Sequence, residues 1–380
     1  MAFKKLPYLI NIVLFAGMLF VHLSYSQRSS NYRYGNHHND PEVLGKCGYA
    51  ESELHSSLLA KRKGSFQSLI DTSSGFGYGY DSLELDLSLW EKSPHVTVSS
   101  LGKSVQQREI YLLTITQNAE IQKSKNVITI HNRTHPLEVQ SWWVQKEMIT
   151  FLLSDALDAA AMRHQNIYYM IPMINPDGVM LMEDCEAGFG RCNALGVDLE
   201  REWATTTPQV EVQHLKDFYL SLMESENPIR IALNMHSAFG CLRYFWYHLA
   251  TGTSQAYALK QQTFIEQVVI HSQGEISPWS TKTSWSTAPD YFPESWFWFN
   301  YQEKVLALTY EDVKDCPYKE SQWQIPAMAL LKGMQDYLGE NTMIIQNHKK
   351  PAKTTTITIQ QGTLLFGNVN LQGRWKNAFP

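Results

Sequence analysis

The run from Asn126 to His131, NVITIH, is apolar at nearly every position and rich in β-branched residues. That pattern belongs to a central strand buried on both faces of a sheet. A strand without a solvent face needs cover on two sides, so the rest of the chain has to supply it. Beyond the strand, the segment Val127 to Glu138 (VITIHNRTHPLE) passes into a loop that sets His135 and Glu138 three positions apart. A histidine and a carboxylate so spaced can both turn onto one metal ion. Catalytic zinc takes three protein ligands, His₂Glu among the standard sets, and leaves the fourth position for water. Alone the pair is weak, since His-x-x-Glu arises by chance in a chain with 13 histidines.

The flanking segments supply the covered sheet. In HVTVSSLGKSVQQREIYLLTIT two alternating runs are joined by the turn Leu101-Gly102-Lys103-Ser104, which predicts a hairpin. Apolar residues at helical spacing (Trp142, Trp143, Met148, Leu152) predict one helix over Val139 to Ala161. NIYYMI then reads as a strand closed by an Asn175-Pro176-Asp177-Gly178 turn. Helix is expected over Pro208 to Glu224, strand over IRIALNM up to His236, helix over Ser254 to His271, strand over Val305 to Tyr310, and helix over Ile325 to Leu338. Strands alternating with helices point to an α/β fold: a single domain with a mixed, mostly parallel central sheet covered by helices on both faces. Functional residues of such sheets gather beyond strand ends, and His135, His236 and Glu311 each stand just past a predicted one.

The ends read differently. Lys4 and Lys5 precede an apolar stretch from Leu6 to Leu23, followed by Ser24-Tyr25-Ser26. This is the pattern of a signal peptide over residues 1–26, cleaved before Gln27, and predicts a secreted or periplasmic protein with no stable membrane span after cleavage. Residues 27–80 form a lead-in with a helix expected from Glu51 to Lys63; residues 81–340 hold the catalytic domain; residues 341–380 are a polar, Thr-rich tail, either a small β appendage or a sorting tail. A net charge of −5 without a basic block excludes nucleic acid as a partner. Five cysteines leave at least one unpaired, and Cys185 and Cys192, flanking a glycine-containing loop, are the preferred pair. Asn132-Arg133-Thr134 fits a glycosylation sequon, but its place beside a metal argues against a sugar. His131 belongs to the strand, and the oligomeric state stays open.

Two further residues complete a catalytic set. His236, closing an apolar strand in ALNMHSAF, can return to the edge where His135 sits. Glu311, in ALALTYED, is a carboxylate at the end of a buried strand, where desolvation raises its pKa toward the range useful for a general base. Singly, either residue is more commonly structural.

Taken in order, GKSVQQREIYLLTIT, RTHPLE, INPDGV, RCNALGVDLER, the His-Ser of NMHSA and the Thr-x-Glu of LTYED resemble the zinc carboxypeptidase superfamily, which includes the pancreatic and the cytosolic carboxypeptidases. The resemblance spans about Pro94 to Asp312. It implies one zinc ion held by His135, Glu138 and His236, with Glu311 as general acid/base. It implies Arg191 as the cation steadying the oxyanion and Arg201 as the fork that holds a substrate carboxylate. In the family an asparagine precedes that arginine, and here Glu200 stands in its place. An ionised glutamate accepts hydrogen bonds and repels a carboxylate, at a cost of several kcal/mol at about 4 Å.

Three explanations remain open: Glu200 pairs with Arg201 or Arg191; it accepts from an ammonium or amide on an unusual substrate; or peptidase activity is altered or lost. Tyr291 is the candidate for the family's substrate-capping tyrosine, and the cluster Trp296 to Phe299 either packs or lines the specificity pocket. The implied activity is that of a secreted zinc metallocarboxypeptidase acting on a peptide or peptide-like substrate. The alternatives are a zinc amidase or deacylase acting on amidated, cell-wall or acylated amine substrates, and an inactive binding module on a peptidase scaffold.

Overall fold

The computed structural model describes residues 78–117, 125–181, 190–239, 242–314 and 323–349. The expected leader, the helix over Glu51 to Lys63, Cys185 and the tail past Lys349 lie outside these residues. One compact unit ends at Leu338; of a second, beginning at Gly339, only residues 339–349 of a helix are described.

In chain order the elements are α1 (Tyr80–Trp90), β1 (Val96–Lys103), β2 (Glu109–Ile115), β3 (Asn126–Asn132), α2 (Val139–Leu152), α3 (Leu157–Gln165), β4 (Asn166–Ile171) and α4 (Pro176–Leu181). A 3₁₀ turn over Leu199–Arg201 follows, then α5 (Val210–Met223), β5 (Ile229–Phe239), β6 (Tyr244–His248), α6 (Gln255–His271), β7 (Ser284–Trp285), α7 (Pro293–Tyr301), β8 (Leu306–Lys314) and α8 (Gln324–Lys349). The strands form one sheet in the order β1-β2-β4-β3-β5-β8-β6-β7. Its centre, β4-β3-β5-β8, is parallel, while β1, β2 and β6 run antiparallel to their inner neighbours. The mixed α/β sheet expected from the pattern is the one observed. Among the described residues, no helix is long and apolar enough to cross a membrane.

Strand alternation divides the sheet into two cores. Ile231, Leu233 and Met235 of β5 and Leu306, Leu308 and Tyr310 of β8 enter one core with Trp142 and Met148 of α2, Phe264 of α6 and Leu330 of α8. Ala232 and Ala307 enter the other, with Leu215 and Tyr219 of α5 and Phe297 of α7. By the same period of two, Asn234 and His236 on β5 and Thr309 and Glu311 on β8 share that second face.

Four local expectations change. The hairpin turn lies at Ser104–Arg108, not at Leu101–Ser104: β1 continues through a bulge at Ser100/Gly102, and Ser104 and Arg108 close the turn with a backbone bond of 2.8 Å. The single helix over Val139–Ala161 is two, because the Ser154 hydroxyl bonds Phe151 O at 2.7 Å and the Arg163 guanidinium takes the carbonyls of Leu152 and Ser154. Those bonds satisfy the end of α2 and let the chain turn. Asn175-Pro176-Asp177-Gly178 opens helix α4 instead of closing a turn, with Asn175 Oδ1 accepting from Gly178 N at 3.0 Å as an N-cap and proline at the first helical position. Finally, β5 and β8 do not stop before His236 and Glu311. They stay paired to Phe239 and Lys314, so both residues stand within strands. Strands β6 (YFWYH), aromatic at four consecutive positions, and β7 (SW), two residues long, show no alternation, and neither was expected.

Candidate metal centre and its pocket

The loop after β3 is locked before it reaches His135. Arg133 sits in the left-handed region (φ 57°), buried, and its guanidinium donates to Pro136 O at 3.1 and 2.7 Å and to Tyr78 O at 3.0 Å. Asn175 Nδ2 holds Thr134 O at 3.1 Å from the far side. Three backbone carbonyls are therefore satisfied by buried side chains, and the loop's two ligand candidates are held in place.

His135, Glu138 and His236 are buried, and one donor atom of each lies within 4.8 Å of the others. His135 Nδ1 is 3.0 Å from Glu138 Oε1, His236 Nδ1 is 2.8 Å from Glu138 Oε2, and the two Nδ1 atoms are 3.1 Å apart. Two imidazole nitrogens and a carboxylate converging from a loop and a central strand form a donor set that suits zinc. Ser237 N donates to Glu138 Oε2 at 3.1 Å, fixing the carboxylate's direction.

The outward ring nitrogens find carboxylates. His135 Nε2 lies 3.0 Å from Asp198 Oδ1, and His236 Nε2 lies 3.2 Å from Glu200 Oε2. Metal-ligating histidines characteristically donate their second N–H to a carboxylate, which sets the tautomer and turns the other nitrogen inward. By this test the residues fit a zinc ion bound through both Nδ1 atoms.

Charge follows geometry. Burial works against ionisation of Glu138, but His135 and His236 beside it hold its pKa well below the usual 4.5. Glu200 is likewise lowered, burial being outweighed by the His236 ring and its hydrogen bond. Burial opposes the charged form of His236, yet Glu200 and Glu138 raise its pKa well above 6.5. His131, on β3, is pushed down to about 4 by burial, and its Nδ1 meets the Tyr219 hydroxyl at 3.0 Å. It packs behind the centre.

A cavity of about 320 Å³ opens over the centre, with Arg191, Glu200, Arg201, Thr309 and Glu311 among its lining. Arg191 Nη2 donates to Asp198 Oδ2 at 3.1 Å and lies 3.0 Å from His135 Nε2. Gly190 places it there: its φ is 64°, and a Cβ would meet Leu137 at 2.8 Å. Glu311 is half-buried and stands opposite His236 in the β5–β8 register. Arg201 lies over Phe292, its Cζ 4.6 Å from the ring centre, and its guanidinium forms no hydrogen bond or ion pair among the described residues. Phe292, Trp285 and Trp246 stack in succession, with centroids 4.9 and 5.5 Å apart, as one aromatic wall. Tyr291 stands at the rim, 38 % exposed, with its ring 5.3 Å from Arg201.

All eight residues singled out in the sequence therefore gather at or beside one pocket, but Glu200 does not pair with Arg201 or Arg191. It is 4 % exposed and bonded to His236 and, at 2.8 Å, to Asn234 Nδ2. Trp296 and Phe297 pack against α5 and Trp203, away from the pocket lining. Sequence reasoning missed Asp198, Asn234, Thr309 and the aromatic wall. The signal for two of them was present: Asn234 precedes His236, and Thr309 precedes Glu311, by the two positions that keep a strand's side chains on one face. Cys192 is disulfide-bonded, and its partner lies outside the described residues.

The profile of the zinc carboxypeptidase family matches residues 87–291. Mouse cytosolic carboxypeptidase 6 is 42 % identical over 110 residues, covering 28 % of this chain and 19 % of that protein. Cytosolic carboxypeptidase 2 of Xenopus tropicalis is 34 % identical over 135 residues, covering 34 % of this chain and 13 % of that protein. The chain thus spans about a fifth or less of the length of these curated relatives. A metallo-carboxypeptidase from Burkholderia cenocepacia superposes with a TM-score of 0.57 at 18 % identity over 70 % of each chain. Carboxypeptidase A from Helicoverpa armigera superposes with a TM-score of 0.55 at 18 % identity over 71 % of this chain and 74 % of its own. At that identity the likeness is one of fold. The curated relatives are cytosolic by name, and on that finding the secreted or periplasmic location expected from the N-terminal apolar run does not stand. Lysines followed by apolar residues meet a compositional pattern, and composition alone does not establish export.

Proposed function

The chain belongs to the zinc carboxypeptidase family, and from that membership we propose that it is a metallocarboxypeptidase, cleaving a peptide bond near the C-terminus of a peptide or peptide-like substrate. The observation that carries the reading is the convergence of His135, Glu138 and His236 beside Glu311, which stands in register with His236. His135, Glu138 and His236 would hold zinc, which when bound polarises a carbonyl and makes water nucleophilic near neutral pH.

The remaining work falls to the chain's own side chains. Glu311 takes the proton of the attacking water and returns it to the leaving amine. Arg191, fixed by Asp198, offers N–H donors where negative charge develops on the carbonyl oxygen. Arg201 presents its planar fork to the substrate carboxylate, with Phe292 limiting its swing. Glu200 does not act there as a free anion, because both its oxygens are engaged inside the protein. A zinc amidase or deacylase is the second reading, favoured by one observation: carboxylate recognition rests on Arg201 without the family's asparagine.

Turnover of peptides with a free C-terminal carboxylate, compared with the same peptides amidated, tests the choice on the full zinc-loaded chain. Chelator-sensitive release of the last residue from the free acids is expected. Equal or faster turnover of the amidated set overturns the carboxypeptidase reading in favour of the amidase.

A further inference from the structure

Glu200 is among the residues lining the pocket, yet its bonds run inward. Oε2 lies 3.2 Å from His236 Nε2 and Oε1 accepts from Asn234 Nδ2 at 2.8 Å. His236 in turn directs Nδ1 at Glu138 Oε2 and at His135 Nδ1. Asp198 does the same for His135, with Oδ1 3.0 Å from its Nε2. Asp198 and Glu200 come from one short segment: Asp198 Oδ1 also accepts from Glu200 N at 3.1 Å, closing the cap of the 3₁₀ turn. One turn of backbone therefore delivers a carboxylate to the outer nitrogen of each histidine.

We propose that Glu200 is a positioning residue for His236, giving the centre a second carboxylate–histidine pair beside Asp198–His135, and that it has exchanged substrate recognition for control of the metal. The inference rests on zinc binding at His135, Glu138 and His236. The Nε2 hydrogen bond turns the ring so that Nδ1 points inward, and the carboxylate makes that nitrogen a better donor. Asparagine at this position is too short and too weak an acceptor to do both. Arg201 is then left to hold a substrate carboxylate without help from residue 200.

Zinc affinity separates this role from a merely structural one. Zinc dissociation constants, from competition with a chromophoric chelator, are measured on the full chain for wild type, Glu200→Gln, Glu200→Asp and Glu200→Asn, with the cobalt-substituted absorption spectrum as a second readout. Outer-shell partners of metal histidines typically contribute ~10–100-fold in affinity. Glu200→Asn is expected to weaken zinc binding by a factor in that range and to alter the cobalt spectrum. Glu200→Gln, with the same shape and an amide oxygen for Nε2–H, is expected to lose less. Asp198→Asn should match the asparagine variant through His135. Should the Glu200→Asn chain misfold, the Gln and Asp variants decide. Wild-type affinity and spectrum in the folded variants overturn the inference while leaving the carboxypeptidase reading intact. Failure of the wild type to bind zinc overturns both, so the two failures are distinguishable.

Discussion

His236 and Glu311 stand directly opposite each other on adjacent parallel strands, in the register that also pairs Asn234 with Thr309. Because side chains alternate along a strand, four polar residues two positions apart on each strand share one face. Glu311 is thus delivered opposite the candidate ligand His236 by the hydrogen-bond ladder of the sheet, and not by a loop.

If that carboxylate moves the proton, Glu311→Gln should lower kcat by ~10²–10⁴-fold, the range a general acid–base contributes. Zinc content should stay at one ion per chain. Steady-state kinetics with metal analysis on the same sample checks both, and undiminished hydrolysis by the zinc-loaded variant would remove Glu311 from the role.

Arg201 has its guanidinium on Phe292 and no competing hydrogen bond among the described residues. Arg201→Ala should raise KM for free-acid peptides ~10–100-fold, as expected for losing hydrogen bonds to a charged group. Arg201→Lys should rescue little of it, because an ammonium lacks the planar fork. Amidated peptides should show almost no change, and an equal rise in KM for both peptide sets would place the carboxylate elsewhere.

The buried Glu294, whose Oε1 accepts from the Thr309 hydroxyl at 2.6 Å, is pushed up to about 7, by burial first and by the neighbouring Glu200 second. A raised folded-state pKa means the native protein keeps a proton that the unfolded chain releases from about 4.5 upward. The corresponding stability is complete below that value and is lost as pH rises through about 7. Glu294→Gln never carries the charge, so its Tm relative to wild type should climb between pH 5 and pH 8, with a gain on the order of 3 kcal/mol at the upper end. A Tm difference flat across that range contradicts the assignment.

Zinc bound at His135, Glu138 and His236 would tie the loop after β3 to β5, two segments that the unfolded chain leaves apart. At free zinc near a hundred times Kd, binding to the native state alone adds about 2.7 kcal/mol. For a domain of this size, chelation should therefore lower Tm by roughly 5–10 °C, reversibly on adding zinc back. Calorimetry with and without chelator measures this. His236→Ala should abolish the zinc-dependent part.

Much of the site was legible because short-range rules govern it. The apolar run Asn126–His131 identified a central strand, and the His135–Glu138 spacing identified the loop that carries two candidate ligands. The places where reading failed have a common physical cause. Ser154 and Arg163 end α2 by taking its last carbonyls, and Asn175 caps α4; in each case a side-chain bond overrides a periodicity that would otherwise continue. The strand ends were misplaced because pairing between β5 and β8, not local propensity, decides how far each runs.

By itself the sequence determined the α/β class and, through the resemblance, the trio of candidate metal ligands His135, Glu138 and His236. The class follows from backbone periodicities that act within a few residues, and the trio from the order in which the family-like motifs recur along the chain. Only the tertiary structure decided where the Glu200 carboxylate lies. Its carboxylate meets His236 and Asn234 across separations of 36 and 34 residues, and a charged group's partner is set by which distant segments are packed against it, a relationship no local pattern encodes. The like-charge conflict that the sequence raised at this residue is resolved by burial against a histidine.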